Sequence, residues 1–558
     1  MSDRQSNSLW LALVLPALLV TLIFRLIPAW GIVAQEGDFR LLGVDSYYHL
    51  RHVERTVDTF PGMDRIETVS AYPAVERSDA IGLFQWSMGG LARLLGAADN
   101  PEIVPWVCAW SGPFAAVLIT WIGAVLARRV WGWKVSVVVT WLMTVLPGRS
   151  FDRTVFGFCD HHGMEVVFNL LMCLALASLA MRRPSKRRWP APLFLHGLPP
   201  ALFLFTWIGA PVFIGLSCAG FGIAMIWHIS AGKPVKEPLK GLSQMMAAAL
   251  LFTLLIGRMA PFLVIAPDLL GKTEKGLAIM ALAAWPAGWV VSRLQSRFRP
   301  FQVTTMVLGI STIAGFILWR IDSGIPWYLQ MAFGSKSSAI QEHQPFVWPV
   351  IWSNFGPTVF LAALGSIWAA CCSKLTPAEG KVAILVLWAY IFIWKTTGDY
   401  DYNLTPAMVL LTGAFWAPLI SASERFSGRV SPRTRRVVAA MPAVVGLSAI
   451  ATTVYPLGSV AGSVRPPRFY QTFKFQSDAW SQAMAWLRIQ GKPNGGVWCH
   501  WPYGNLISAI GRWPAIQSRY PRGHLLQPMF TPGEDRAVQL PVSGKPFSEA
   551  VRFVIADA

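Results

Sequence analysis

The sequence is poor in charge and in paired cysteine. Asp, Glu, Lys and Arg make up 14% of its 558 residues, whereas soluble domains carry about 25%, so a soluble globular protein is disfavoured. No CxxC pair occurs, and most of the seven cysteines lie in apolar runs, so neither a zinc ribbon nor a disulfide framework is indicated. The chain also has no internal repeat and no low-complexity stretch.

Long apolar runs are what the sequence has instead. Hydrophobic residues make up 54% of the chain, and many of them form runs near the length of a membrane span. The 27 tryptophans are typical of a protein with two lipid–water interfaces. We predict thirteen spans, near 9–33, 101–126, 134–148, 163–181, 191–208, 211–228, 241–257, 276–292, 302–320, 351–371, 382–395, 403–420 and 437–456.

Positive charge is concentrated on one predicted side of the membrane. With the N-terminus inside, the six inner loops hold 21 Lys or Arg residues, and the five short outer loops hold 8. This asymmetry follows the positive-inside rule and accounts for the net charge of +19 by contact with membrane lipids, without nucleic acid. No small-residue cleavage pattern follows the apolar run from Leu9, so we expect an uncleaved first helix.

Two outer segments are long and polar. Residues 34–100 form the first outer loop, and residues 457–558 combine turn signals with short helix-like and strand-like pieces. The sequence therefore predicts a polytopic α-helical membrane domain over 1–456 and a small mixed α/β extracytoplasmic domain over 457–558.

Acidic residues stand beside spans on the predicted outer side. Asp45 lies in "LLGVDSYYHLRHVER", Asp160 in "FGFCDHHGMEVVF" and Glu342 in "SSAIQEHQPFVW". Carboxylates near hydrocarbon need a partner or a cation, and with His161 or His162 they would favour Mn²⁺ over Mg²⁺. Each also has a plainer interpretation. Asp45 and Asp160 could be N-caps of the following helices, and Glu342 could be a solvated loop acid.

Four motifs, in order along most of the chain, carry a family resemblance. "GVDSYYHLR" (43–51), "GFCDHHGMEVVF" (157–168), "AIQEHQP" (339–345) and "CHWPYGNLI" (499–507) resemble the acidic, D-H-H, Glu-loop and W-W-D-Y-G motifs of the catalytic subunit of oligosaccharyltransferase, particularly its single-subunit bacterial and archaeal forms. The resemblance implies a GT-C glycosyltransferase fold with about thirteen membrane helices, catalytic outer loops at 34–100, 149–162 and 320–350, and an active site that faces the periplasm or exterior.

Roles follow from this resemblance residue by residue. Asp45, Asp160 and His162 would bind a divalent metal, Mn²⁺ or Mg²⁺, with His161 as a spacer. Asp45 and Glu342 would be catalytic and would hold the acceptor amide. His500, Trp501 and Tyr503 would contact the acceptor polypeptide. Tyr48, Arg51 and Arg149 are our candidates for contact with a polyprenyl-linked sugar donor, although Tyr48 could equally belong to an interfacial aromatic belt and Arg51 could pair with Glu54 or a lipid headgroup.

The departures from the family pattern concern the acceptor. Pro502 stands where the W-W-D motif has its aspartate, and proline supplies neither a side-chain acceptor nor an N–H. Ala339 replaces the threonine of the Glu loop, and Asp399 stands where relatives often have arginine. Members of the family are often longer than this chain at the C-terminal end of the outer domain. The resemblance therefore implies an outer domain that is either minimal or cut short.

We therefore predict a multi-pass enzyme of the inner (plasma) membrane. It would move a glycan from a polyprenyl pyrophosphate to protein asparagine. The alternatives are a GT-C transferase that uses a polyprenyl-monophosphate sugar and a lipid or non-sequon acceptor, and a transporter or scaffold without catalysis. The last predicts polar residues at mid-membrane depth, whereas the polar clusters fall in outer loops.

Overall fold

The computed structural model covers the membrane part of the chain more fully than the C-terminal part. It describes residues 3–35, 38–67, 76–77, 82–145, 149–180, 195–321, 358–372, 376–397, 402–427, 478–489, 496–499, 507–511, 541–542, 545–546 and 551–555.

Helices dominate these residues. Their bounds, in chain order, are α1 Asp3–Val33, α2 Val44–Thr59, α3 Leu83–Leu94, α4 Ile103–Trp131, α5 Trp133–Val145, α6 Arg149–Asp152, α7 His162–Ala180, α8 Leu198–Leu204, α9 Ala210–Ser230, α10 Lys236–Met259, α11 Pro267–Gln295, α12 Pro300–Ile321, α13 Thr358–Cys371, α14 Ala378–Thr397, α15 Leu404–Ser427 and α16 Asp478–Ile489. A π-helical turn follows at Ile507–Gly511.

Membrane spans account for most of this helical content. Among the described residues, seven helices are long and apolar enough to cross a bilayer, and three shorter apolar helices accompany them. The prediction of a polytopic α-helical membrane protein is confirmed, while the count of thirteen spans stays a prediction. Of the predicted span at 191–208, the described part contains the seven-residue helix α8, which ends before the turn that precedes α9. The predicted span at 437–456 lies outside the described residues.

Strand pairing is limited to short two-stranded ladders in the described residues. The pairs β1 Ala34–Gln35 with β2 Asp38–Phe39, and β3 Ile66–Glu67 with β4 Glu76–Arg77, are antiparallel. Near the C-terminus, β5 Gly496–Cys499 pairs in parallel with β8 Val551–Ile555, and β6 Pro541–Val542 pairs antiparallel with β7 Lys545–Pro546. The mixed α/β domain over 457–558 stays a prediction.

Helix α7 is the centre of the largest apolar core. It is apolar around most of its circumference, and such a helix is stable only when other helices surround it. It packs against α4 on one side and α14 on another, with α8 nearby. The start of α7 is therefore held by its neighbours, which fixes the position of the residues that precede it.

A second core lies at one end of this bundle. Apolar side chains of α2 and of the segment 155–159 share it with Val107 and Cys108 of α4. Met484 and Leu487 of α16 belong to the same cluster, so this helix also contributes to the second core. This second core is the support of the candidate site.

Candidate functional site

Two hydrogen bonds join the first two acidic motifs. The Leu42 N–H donates to the Gly157 carbonyl at 2.7 Å, and the Cys159 N–H donates to the Ser46 hydroxyl at 2.9 Å. The Ser46 hydroxyl in turn donates to the Leu42 carbonyl. These bonds join stretches more than a hundred residues apart and bring Asp45 and Asp160 into the same electrostatic neighbourhood.

Two glycines make this crossing possible. Gly43 and Gly157 have φ values of +78° and +88°, a region that residues with a Cβ rarely adopt. A Cβ on Gly157 would collide with Cγ2 of Val33, and one on Gly43 would lie 3.1 Å from the Phe158 ring. The crossing therefore requires glycine for space as well as for conformation.

Asp160 is the centre of a group of histidines. Its carboxylate is buried, with Oδ1 at 2.7 Å from Nδ1 of His161 and 3.1 Å from Nε2 of His49. Oδ2 lies 3.3 Å from Nε2 of His162 and 3.9 Å from a guanidinium nitrogen of Arg153. Burial alone would raise the pKa of Asp160, but His162 and His161 hold it well below its usual range. Asp160 is therefore ionised at neutral pH.

Asp45 has different surroundings. It lies half-buried in the first turn of α2. Burial raises the pKa of the Asp45 carboxyl, and the charge of Asp160 raises it further, against the lowering effect of Arg153 and the histidines. A divalent cation between the two carboxylates would relieve this repulsion.

Neither aspartate caps a helix, so both capping interpretations are wrong. The N-cap of α2 is Gly43, and Asp45 stands inside the helix. Helix α7 begins at His162, so Asp160 precedes the capping position by one residue. Neighbouring residues inside a helix point in different directions, but His161 lies before the start of α7. Both His161 and His162 can therefore reach Asp160.

Glu165 orients His162. Nδ1 of His162 lies 3.0 Å from Oε1 of Glu165, and with the carboxylate oxygen as the acceptor, Nδ1 donates. Tyr402 donates to Oε2 of Glu165, and its ring stacks on His162 at a centroid distance of 4.3 Å. The lone pair of a neutral His162 is consequently on Nε2, the atom nearest Oδ2 of Asp160.

His161 contacts more than the spacer role implies. Its Nδ1 donates to Asp160, and its Nε2 lies 3.2 Å from Oε1 of Glu165. Burial would lower the pKa of His161, but Asp160, followed by Glu165, raises it to about 9. A doubly protonated ring has no lone pair for a metal, so His161 bridges the two carboxylates as a cation.

Two members of the cluster, His49 and Glu165, were not predicted from the sequence. Burial lowers the pKa of His49, against the hydrogen bond and charge of Asp160. His49 stands four residues after Asp45 on the same helix, and Glu165 three residues after His162, so the helical period of 3.6 was a usable signal for both.

The donor set fits a divalent metal. Oδ2 of Asp160 and Nε2 of His162 are 3.3 Å apart, close to the spacing of two ligands on one ion at bond lengths of about 2.0–2.2 Å. Asp45 of α2 interacts electrostatically with Asp160. Two geometric clusters of metal-binding atoms occur in the described residues: His49 with Asp160 and His161, and His161 with His162 and Glu165.

Other predicted contact residues are only partly within the described residues. Tyr48 and Arg51 are buried, and the Arg51 guanidinium lies 5.9 Å from the Tyr48 ring centroid. Arg149 begins α6, and nothing is described of its side chain. Arg153 is the arginine that reaches Asp160. Four predicted positions, Glu342, His500, Trp501 and Tyr503, lie outside the described residues, as do Ala339, Asp399 and Pro502.

An apolar cavity of about 690 Å³ adjoins the cluster. Its walls are α3, α4 and the first turns of α7, with Trp106, Trp110 and Phe114 spaced four residues apart on α4. Asp160 is among its lining residues. The cavity thus connects an apolar surface to the charged group at the start of α7.

Known proteins of similar sequence are archaeal glycosyltransferases. No family model matches the chain. It is 23% identical over 459 residues to the dolichyl-monophosphooligosaccharide–protein glycotransferase AglB of Haloferax volcanii, covering 72% of this chain and 42% of that protein. It is 26% identical over 216 residues to the dolichyl-phosphooligosaccharide-protein glycotransferase 3 of Archaeoglobus fulgidus, covering 39% and 24%. The chain thus spans less than half the length of these relatives.

Solved structures with a similar fold come from Archaeoglobus fulgidus. The archaeal oligosaccharyltransferase AglB in complex with an inhibitory peptide and a dolichol-phosphate matches with a TM-score of 0.78 and 16% identity, covering 100% of this chain and 70% of that one. The oligosaccharyltransferase complex with Zn and sulfate matches with a TM-score of 0.70 and 18% identity, covering 92% and 63%. The resemblance to the catalytic subunit of oligosaccharyltransferase is thus confirmed, in sequence by the curated relatives and in fold by the solved structures.

Proposed function

We propose that this protein is a metal-dependent glycosyltransferase that moves a glycan from a polyprenyl-pyrophosphate donor to protein asparagine. One observation carries the proposal. The carboxylates of two distant acidic motifs interact electrostatically at the start of a membrane helix, and Nε2 of His162 lies 3.3 Å from Oδ2 of Asp160. The names of the relatives support the reaction, because both are glycotransferases that act on protein.

The metal would be held by Asp45, by Oδ2 of Asp160 and by Nε2 of His162. Oxygen ligands with one imidazole favour Mn²⁺ over Mg²⁺, and the Zn complex of a protein of this fold is consistent with a borderline metal. Bound there, the metal would supply Lewis-acid stabilisation of the charge that develops on the leaving phosphate.

Around that position, the chain's own residues would hold the acceptor and the donor. Asp45 and Glu342 would accept hydrogen bonds from the acceptor amide and keep its nitrogen in line with the anomeric carbon. The C–N bond would then form as the bond from the anomeric carbon to the phosphate oxygen breaks, with the electron pair leaving on the phosphate and one amide proton passing to the carboxylate of Asp45 or Glu342. His500, Trp501 and Tyr503 would contact the acceptor polypeptide. Tyr48, Arg51 and Arg149 would contact the donor.

The cavity beside Asp160 suits the lipid chain of such a donor. Its walls are largely apolar, and it follows a membrane-spanning helix away from the carboxylates. A phosphate at the metal and an apolar chain along α4 would be compatible with one lipid-linked molecule. The A. fulgidus protein of the same fold was solved with a dolichol-phosphate, which supports this class of donor.

This function implies an orientation in the cell. The site would face the periplasm or exterior of the inner (plasma) membrane, with 1–456 as the transmembrane GT-C domain and 457–558 as an extracytoplasmic domain. The excess of Lys and Arg in the predicted inner loops supports this orientation.

Reconstitution with purified lipid-linked oligosaccharide and a fluorescent asparagine-containing peptide tests the proposal. We expect transfer by the wild-type protein in Mn²⁺ and none after EDTA. Asp45→Asn and Glu342→Gln should abolish transfer while both variants still elute as folded monodisperse protein. Full transfer by both variants would remove the mechanism. Mass spectrometry of outer-side proteins with and without the gene then identifies the natural acceptor.

A second candidate differs only in the donor. The name of the H. volcanii relative specifies a monophospho-oligosaccharide. The same site could therefore take a polyprenyl-monophosphate sugar. Assays with matched pyrophosphate and monophosphate donors separate the two, because transfer from the monophosphate alone would exclude the leading candidate.

A further inference from the structure

We propose that Gln85 and His49 form a directed hydrogen-bond relay that orients Asp160, and that His49 is therefore a positioning residue and not a metal ligand. This inference rests on the proposed metal site for its functional consequence. The relay itself is a property of the protein without metal. It decides which atoms of the histidine cluster are free to bind an ion.

The relay begins at the N-terminus of α3. The Gly82 backbone N–H donates to Oε1 of Gln85 at 2.9 Å. A backbone N–H can only donate, so the atom that faces it must be the oxygen of the Gln85 amide. Gln85 is 1% exposed, so no bulk water competes for this contact. The NH₂ group of Gln85 consequently points away from Gly82 and toward His49.

The next contact fixes the tautomer of His49. Nε2 of Gln85 lies 2.7 Å from Nδ1 of His49. Because the amide nitrogen only donates, Nδ1 must accept and carries no proton. A neutral His49 ring then has its proton on Nε2, which lies 3.1 Å from Oδ1 of Asp160 and donates to it. Each group therefore donates a hydrogen bond to the next, from Gly82 to Gln85, from Gln85 to His49 and from His49 to Asp160.

The neighbours of His49 leave no other arrangement. Nδ1 of His161 lies 3.3 Å from Nε2 of His49 but only 2.7 Å from Oδ1 of Asp160, which accepts from both rings. Phe84 and His161 contact the His49 ring edge-on, at centroid distances of 5.4 and 5.2 Å, and hold its plane. Both ring nitrogens of His49 are engaged, so it has no lone pair to offer a metal.

The consequence concerns the two oxygens of Asp160. Oδ1 is occupied by two imidazole donors, which leaves Oδ2 as the oxygen directed toward Nε2 of His162. The relay thus selects the metal position between Asp160 and His162, and excludes the cluster of His49, Asp160 and His161 that interatomic distances alone would allow. Groups that orient metal ligands in this way typically change metal affinity by about 10- to 100-fold when removed.

Gln85→Glu is the sharpest test. It keeps the shape of the side chain and an oxygen for the Gly82 N–H, but replaces the donor that faces His49 by an acceptor. Gln85→Leu removes the relay altogether, and Ser87→Ala on the same helix is the matched control. Isothermal titration of the purified full-length protein with Mn²⁺ alone should show affinity lowered about 10- to 100-fold in both Gln85 variants and unchanged in Ser87→Ala.

Substitution of the histidines separates positioning from ligation. His49→Gln retains an N–H near the position of Nε2 and should bind Mn²⁺ within a few-fold of wild type. His162→Gln removes a ligand and should lose most of the affinity. Equal losses in these two variants would overturn the assignment, as would a Gln85→Glu protein that is folded and binds Mn²⁺ like wild type.

Nitrogen-15 spectra of labelled histidine in the metal-free protein test the relay without reference to the metal. The resonances that disappear in His49→Gln should show a protonated Nε2 and a bare Nδ1, and Gln85→Glu should protonate Nδ1. A proton on Nδ1 in wild type would overturn the relay. If the spectra agree but the wild-type protein binds no Mn²⁺, the metal-dependent function fails and the relay stands.

Discussion

Asp45 and Asp160 are two carboxylates of one site with opposite surroundings. Asp160 is buried, accepts from two imidazoles, and has a pKa held well below its usual range. Asp45 is half-buried in the first turn of α2, and burial followed by the charge of Asp160 raises its pKa. The comparison teaches that the site has one fixed charge and one adjustable charge. Asp160 has its partners within the protein, whereas under the proposed function Asp45 would gain its partner from a bound metal.

The largest effect that sharpens this comparison comes from neutralising each carboxylate in turn. Asp45→Asn and Asp160→Asn should each lower transfer by at least about 100-fold, because several kcal/mol of charge stabilisation are lost. Only Asp160→Asn should also destabilise the protein, by about 3 kcal/mol, since it leaves buried imidazoles without their acceptor. Thermal unfolding in EDTA separates the two, and equal stabilities of both variants would contradict the distinction.

The next effect concerns His162, which lies beside Oδ2 of Asp160. Glu165→Gln should weaken Mn²⁺ binding by about 10- to 100-fold, because the amide no longer fixes the proton of His162 on Nδ1. Tyr402→Phe removes only the hydroxyl that holds Glu165 and should have a smaller effect in the same direction. Titration calorimetry measures both, and a Tyr402→Phe loss that exceeds the Glu165→Gln loss would refute this order.

The backbone crossing that joins the two carboxylates can be broken with a single methyl group. Gly157→Ala adds a Cβ where Val33 leaves no room, in a left-handed conformation, and should cost about 1–3 kcal/mol or prevent folding. Gly132→Ala is the matched control, because Gly132 has φ +92° but open space around it. Gly132→Ala should lose only the stability that a left-handed conformation costs a residue with a Cβ, about 1 kcal/mol. Unfolding midpoints of the two variants should therefore differ, and identical midpoints would show that the contact with Val33 relaxes freely.

The smallest expected effect is a pH dependence that belongs to His161. Its pKa is raised from the ordinary histidine value of 6.5 to about 9, so its interaction with Asp160 stabilises fully below about pH 6.5 and is lost as pH rises through about 9. In EDTA, the unfolding temperature should fall by a few degrees between about pH 7 and pH 9.5. His161→Gln should flatten this dependence, and an unchanged slope would assign it to another group.

Much of the membrane architecture and the meeting of the two motifs could be predicted from the sequence. Apolar run length and charge asymmetry depend only on local composition, so most predicted spans overlap described helices. The convergence of Asp45 and Asp160 followed from both being placed on one side of the membrane. The capping interpretations failed because helix starts are set by the backbone crossing at Gly43 and Gly157, which local propensity does not contain.

The polar partners of Asp160 show where sequence reasoning ends. Glu165 and His49 follow their partners at helical spacing and were within reach of a pattern search. Gln85 was not, because it lies 36 residues from His49 on a separate helix and meets it only through tertiary packing. A lone glutamine in an apolar stretch carries no local signal of the atom that it will face.

The crossing of the two acidic stretches has a consequence for how such a site can change. The bond from Leu42 to Gly157 joins two main-chain groups, and the Cys159 N–H donates to the Ser46 side-chain hydroxyl, so neither bond involves the side chain of Asp45, Asp160 or His162. An engineer could exchange His162 for a carboxylate, or Asp45 for another oxygen donor, and leave the scaffold in place. Under the proposed function, the metal preference could therefore be altered without changing the hydrogen bonds that join the two acidic motifs.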